Sequence, residues 1–167
     1  MELPKRKQNR LKGYDYSQNG VYFLTVCIKD KECILGRIVG DGVLDVPQMI
    51  LSDYGKIVEN RIDEIQRTYE NITIQNYVVM PNHVHLLILL YSDENVLKEN
   101  VSKSVQNNEI AKLVSTMKRF INREIGFNIW QRSYHDHVVR TEAAYNTIWE
   151  YIDNNPARWR EDCYNKE

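Results

Sequence analysis

Residues 72–90, ITIQNYVVMPNHVHLLILL, constrain the fold more than any other stretch of the chain. Two runs rich in apolar and β-branched residues flank Pro81-Asn82, the pattern of strand, turn and strand. The two runs are therefore expected to pair as an antiparallel hairpin. The second run reads as a buried strand, yet it contains His83 and His85. Side chains at i and i+2 of a strand leave the same face. Two imidazoles side by side among Val84, Leu86, Leu87 and Ile88 are costly unless their nitrogens are satisfied.

The rest of the chain supplies a frame for that hairpin. VYFLTVCIK (21–29) is rich in β-branched and aromatic residues and predicts a strand. ECILGRIV and GVLDV flank Gly40-Asp41-Gly42, so 32–46 reads as a second hairpin. From Ser52 the period becomes helical through Tyr54, Ile57, Val58, Ile62 and Ile65, with Ser52 or Asp53 as the cap. Residues 92–108 are polar and aperiodic, the pattern of a surface loop. Ile110, Leu113, Val114, Met117, Ile121 and Ile125 mark a second helix that Gly126 ends. A short strand is expected near 133–140. A third helix then opens at Thr141-Glu142 and stops before Pro156. The order β, β-hairpin, α, β, β, α, β, α fits an α+β fold, an antiparallel sheet with helices packed on it.

Composition narrows the function classes. A chain of 167 residues, 43% hydrophobic and 27% charged, is expected to form a single globular domain over 1–167. Its longest apolar run, near Leu86–Leu90, is far too short to span a bilayer. The first dozen residues lack the apolar segment of a secretory signal. Three cysteines, Cys27, Cys33 and Cys163, lack metal-type spacing, which favours reduced thiols and a cytoplasmic setting. The net charge of −1 announces no nucleic-acid partner. A basic arm at about 1–13, carrying Lys5, Arg6, Lys7, Arg10 and Lys12 against Glu2 alone, is a local exception.

All four histidines fall in His-x-His pairs, His83/His85 and His135/His137. Either pair can offer two nitrogens to a metal from one strand face, or can be hydrogen-bonded to backbone at a strand end. A histidine-triad hydrolase requires a third alternating histidine, where position 87 is Leu. A two-histidine phosphodiesterase requires His-x-Ser/Thr twice, and neither pair meets it. On the third helix Tyr145, Ile148, Trp149 and Ile152 set the apolar side. Tyr151 and Asn155 lie one turn apart on its flank, offering a hydroxyl and an amide at one edge of the sheet.

MPNHVHLLI, followed some 60 residues later by YIDNNP, resembles the tyrosine HUH transposases that act on single-stranded DNA, most closely the REP-associated tyrosine transposases. RLKGYDYSQNGVYFLTVC (10–27) and WQRSYHDHVVR (130–140) extend the resemblance over most of the chain. The resemblance implies a ferredoxin-like sheet. It matches His83 and His85 to the metal-binding pair, Tyr151 to the nucleophile and Asn155 to the amide ligand. Many transposases of the broader family carry Gln where Asn155 stands.

What the resemblance implies about function can be stated physically. A divalent cation, Mg²⁺ or Mn²⁺, held by His83, His85 and Asn155 would offset charge on the scissile phosphate during in-line attack by Tyr151. The product would be a 5′-phosphotyrosine and a free 3′-OH. The implied partner is single-stranded DNA with hairpin structure; no membrane partner is expected, and a monomer is favoured over a homodimer. An alternative is a hairpin-binding module of the same fold without cleavage. Lys112, Arg119 and Arg123, with Lys118, Arg132, Arg140 and the basic arm, are candidates for a DNA groove. His135 and His137 are candidates for phosphate contact or a secondary site.

Overall fold

The structure, a computed structural model, describes residues 18–40, 45–91 and 109–165. In chain order it contains β1 (Gly20–Cys27), β2 (Gly36–Val39), β3 (Gln48–Leu51) and α1 (Asp53–Thr68). Then come β4 (Ile72–Met80), β5 (His83–Leu90), α2 (Glu109–Ile125), β6 (His135–Val139) and α3 (Glu142–Asn154). A 3₁₀ turn at Pro156–Glu161 follows α3 directly.

β4, β5, β1 and β6 form one sheet in that order, and every neighbouring pair is antiparallel. β1 and β4 therefore run parallel with β5 between them, joined through α1 as a split β-α-β unit. β5, α2 and β6 repeat the unit around β1. This is the expected ferredoxin-like α+β arrangement, and the 72–90 hairpin is its β4–β5 pair. A register shift between Ile74 and Asn76 places Val78 opposite His85.

Alternation along the strands divides two cores. Tyr22, Leu24 and Val26 of β1 join Val84, Leu86, Ile88 and Leu90 of β5 on the face covered by α1 and α2. The opposite face carries Phe23, Val78, Leu87 and Val139, and α3 covers it with Tyr145, Ile148, Trp149 and Ile152. Burying one aliphatic side chain such as Ile152 stabilises by roughly 1.5–3 kcal/mol, enough to fix which side of α3 meets the sheet. Ser52 caps α1 by accepting from the Gly55 N–H, and Thr141 caps α3 by accepting from the Ala144 N–H.

The second hairpin differs from the expectation over 32–46. Its strands are Gly36–Val39 and Gln48–Leu51, and they form a separate two-stranded sheet. The GVLDV run does not supply the second strand: Val46 is 74% exposed and lies before β3. What anchors the hairpin is its base, where Ser52 donates from its hydroxyl to the Ile34 carbonyl and from its backbone to Leu35. A Cβ on Gly55 would meet the Leu35 carbonyl oxygen at 2.1 Å, so only glycine permits this approach. The surface loop expected over 92–108 and the basic arm lie outside the described residues. Among the described residues no helix is long and apolar enough to cross a membrane.

Candidate active site

Antiparallel pairing sets Cys27 opposite His83 and Thr25 opposite His85. Lateral neighbours in a sheet project to the same face, so the histidine pair belongs to the face that α3 covers. Both are buried, at 0% and 1% exposure. Their Nε2 atoms lie 3.0 Å apart.

The outer nitrogen of His83 shows where its ring proton is. The Asn82 side-chain Nδ2 donates to the carbonyls of Lys31 and Tyr164, which turns its Oδ1 towards His83 Nδ1 at 2.9 Å. An amide oxygen only accepts, so His83 carries its proton on Nδ1. His85 Nδ1 is 2.9 Å from the Thr25 hydroxyl oxygen. That hydroxyl can donate to His85 Nδ1 or accept from it. With its proton on Nδ1, His83 presents the Nε2 lone pair towards His85 Nε2. Burial drives both imidazoles towards neutrality: His83 down to about 2, with help from His85 and Lys31, and His85 down to about 3.

α3 brings the remaining predicted residues to this point. The Tyr151 hydroxyl is 3.3 Å from His85 Nε2, and its ring meets that of His85 edge-on at 5.2 Å between centroids. Phe23 stacks on the other side of His85 at 5.0 Å. Asn155, at the C-terminal cap of α3, is 1% exposed and hydrogen-bonds Tyr151. Its Oδ1 is buried without a hydrogen-bond partner among the described residues. Burial, followed by the Asp162 carboxylate, raises the Tyr151 hydroxyl above the ordinary tyrosine range, while the Asn155 hydrogen bond pulls it back.

Sequence reasoning missed the segment after α3. Asp162, whose side chain is 3% exposed, places Oδ2 at 3.9 Å from His83 Nε2. His83, His85 and Asp162 each offer a ligand atom, all within 4.8 Å of one another, and form a His-His-Asp cluster of a size that fits a divalent metal. Trp159 and Tyr164 lie against His83 at centroid distances of 6.1 and 4.6 Å. No spacing rule finds Asp162. Asn82, by contrast, was visible as the residue beside His83 in a proline-asparagine turn.

The donor set fits a metal. Two donors at a right angle around one cation, each ~2.1 Å away, are ~3.0 Å apart, which matches the Nε2 separation of 3.0 Å. The Asp162 carboxylate completes a cluster whose ligand atoms lie within 4.8 Å of one another, and Asn155 Oδ1, on the helix that carries Tyr151, is a buried oxygen without a hydrogen-bond partner among the described residues. Imidazole, carboxylate and amide donors together suit a first-row dication such as Mn²⁺ and also admit Mg²⁺.

The other candidates are placed differently. His135 pairs with Thr25 and His137 with Phe23, so both share the histidine face. Two strand spacings, ~10 Å, separate them from β5, too far to join His83 and His85 around one ion. Asp136 pairs with Leu24 on the opposite face, which removes the carboxylate nearest in sequence from any second site there. Lys112, Arg119 and Arg123 are exposed on α2, which packs on the sheet face away from the histidines. Lys118 Nζ donates to the carbonyls of Gln131 and Ser133, holding the chain that leads into β6. Arg132 and Arg140 are exposed at the two ends of β6. Lys5, Arg6, Lys7, Arg10 and Lys12 lie outside the described residues.

Comparison with known proteins agrees with this geometry. Residues 47–155 match the sequence profile of the family described as "Transposase IS200 like". An uncharacterised protein of Haemophilus influenzae is 34% identical over 171 residues, covering 94% of this chain and 91% of its own length. A second protein of that organism, named as a candidate REP-associated tyrosine transposase, is 22% identical over 153 residues, covering 86% of this chain and 74% of its own. The solved structure of a REP-associated tyrosine transposase bound to a REP hairpin shares the fold. Its TM-score is 0.59 at 18% identity, over 99% of this chain and 78% of that one. The profile match contains His83, His85, Tyr151 and Asn155, and the chain belongs to the IS200-like transposase family, with the fold of the REP-associated tyrosine transposases.

Proposed function

We propose that the protein is a cation-dependent endonuclease and strand transferase for single-stranded DNA, cutting beside DNA hairpins through a 5′-phosphotyrosine on Tyr151. One observation carries the reading. The Tyr151 hydroxyl stands 3.3 Å from His85 Nε2, which itself faces His83 Nε2 at 3.0 Å. A tyrosine used only for packing has no need of that company.

His83, His85 and the Asn155 oxygen would hold the cation, with Asn82 and Thr25 fixing the imidazole orientations. When bound, the cation supplies Lewis-acid withdrawal of charge from a non-bridging phosphate oxygen. The Tyr151 hydroxyl gives its proton to solvent water as its oxygen attacks phosphorus. The bond from phosphorus to the 3′ oxygen breaks, and that oxygen leaves and gains a proton. The phosphodiester energy is kept in the tyrosine link, so a second 3′-OH can attack in turn, rejoin DNA and release Tyr151. Asn155 holds the Tyr151 hydroxyl through their hydrogen bond, and Phe23 closes one side of the site. Tyr151 reaches His85 of its own chain at 3.3 Å, a geometry compatible with action in cis.

The hairpin preference rests on the relative whose structure holds a REP hairpin. The test uses end-labelled DNA hairpins with single-stranded flanks, incubated with Mn²⁺. Cleavage that requires Mn²⁺ and the intact His83/His85 pair supports the reading. Tight hairpin binding with no cleavage on any flank would instead make the protein a binding module.

A further inference from the structure

We propose that Asp162 is a protein ligand of the same cation, and that through it the cation fastens the segment 156–165 onto the histidine face. The proposal rests on the metal reading given above and extends it to a residue beyond the matched family region.

The first support is an unbalanced charge. The Asp162 side chain is 3% exposed, and among the described residues it has no lysine or arginine partner. Its Oδ1 accepts from the Tyr164 backbone N–H, while Oδ2 faces His83 Nε2 at 3.9 Å. The Lys31 ammonium, close enough to bear on His83, is engaged by the Cys163 carbonyl and the Tyr164 ring instead of by Asp162, and a buried carboxylate without a direct ion pair is costly. The His83 and His85 Nε2 atoms stand 3.0 Å apart beside it, and the three ligand atoms lie within 4.8 Å of one another. A buried carboxylate beside two imidazole nitrogens, without enough donors, calls for a positive ion.

The second support is a scaffold that holds the carboxylate in place without the ion. The Tyr164 carbonyl accepts from Asn82 Nδ2 at 2.9 Å, and the Cys163 carbonyl accepts from Lys31 Nζ at 2.9 Å. Tyr164 lies against His83, and Trp159 is buried beside it. Asn82 therefore does two jobs: its Oδ1 orients His83, and its Nδ2 ties down the Tyr164 carbonyl two residues beyond Asp162. A ligand carried on a segment held by the same side chain that orients a histidine is the arrangement expected of a built metal site. The hard carboxylate oxygen also gives an oxygen-preferring dication a better set than imidazole and amide alone.

The test is Mn²⁺ titration of the full chain without DNA, followed by calorimetry and by hydrogen exchange over 156–165. The wild type, Asp162→Asn and His85→Ala are compared. Asp162→Asn keeps the shape and removes the charge, so the metal-free variant should melt no lower than the wild type. Its Mn²⁺ affinity should fall at least about tenfold, and Mn²⁺ should slow exchange over 156–165 in the wild type alone. Equal affinity in wild type and Asp162→Asn, with binding lost in His85→Ala, would overturn the proposal and leave the histidine site standing. Wild-type binding without slower exchange over 156–165 would overturn the fastening. Absence of Mn²⁺ binding by the wild type would remove both the proposal and the metal reading beneath it.

Discussion

The Nε2 atoms of His83 and His85 face one another at 3.0 Å, while Asn82 and Thr25 hydrogen-bond the outer nitrogen of each ring. The strand imposes the arrangement because residues i and i+2 share a face and Val84, between them, is fixed in the opposite core. The sheet thus holds open a position that a cation satisfies, and the chemistry proposed for Tyr151 is built around that position.

Asn82→Ala removes the acceptor that sets the His83 tautomer and the donors that hold the Lys31 and Tyr164 carbonyls. Loss of such an outer partner typically lowers metal affinity by about ten- to a hundredfold. Calorimetric titration with Mn²⁺ should show a drop of that order with the far-ultraviolet spectrum unchanged.

Lys118→Met separates structure from DNA binding. Lys118 donates to two backbone carbonyls, so the substitution should lower stability by about 1–3 kcal/mol in a denaturant midpoint. Hairpin affinity at fixed salt should stay within about twofold, since a phosphate contact would also change the salt dependence.

Arg140 behaves oppositely in this account. It is exposed immediately after the edge strand β6. Arg140→Gln should leave the melting temperature unchanged. It should reduce the slope of log affinity against log salt for single-stranded DNA by about 0.7.

Cys27 should be inert in the folded chain. Burial raises its thiol from 9.0 to about 11, while Cys33 and Cys163 are exposed. Because the folded value lies above the unfolded one, this group's contribution to stability is complete below pH 9 and is lost as pH rises through 11. At pH 8 a thiol reagent should modify two cysteines in the native protein and a third only after denaturation.

Much of this was legible in the sequence, for identifiable reasons. The apolar, β-branched runs on either side of Pro81-Asn82 and the period of 3.6 around Val58–Ile65 and Leu113–Ile121 report strand and helix, so β4, β5, α1 and α2 could be read directly. Helix geometry sets Tyr151 and Asn155 one turn apart, while the roles proposed for them came from the resemblance of MPNHVHLLI and YIDNNP to the family. The second hairpin was misplaced because a Gly-Asp-Gly turn and nearby apolar residues predict local pairing, whereas Ser52 and Gly55 fix β2 and β3 through contacts distant in sequence. Lys118 was grouped with the DNA candidates because helix period reports only that it lies off the apolar stripe, not which carbonyls it meets. Asp162 has no periodic signature; only the fold of 156–165 back onto β5 reveals it.

The central claim is that Tyr151 becomes covalently joined to DNA. The direct measurement is mass spectrometry of tryptic peptides after incubation with Mn²⁺ and a single-stranded hairpin substrate. The account predicts a 5′-phosphoryl nucleotide adduct on the peptide containing Tyr151, absent in Tyr151→Phe although that variant still binds the hairpin. An adduct on any other residue, or cleavage undiminished in Tyr151→Phe, would contradict it.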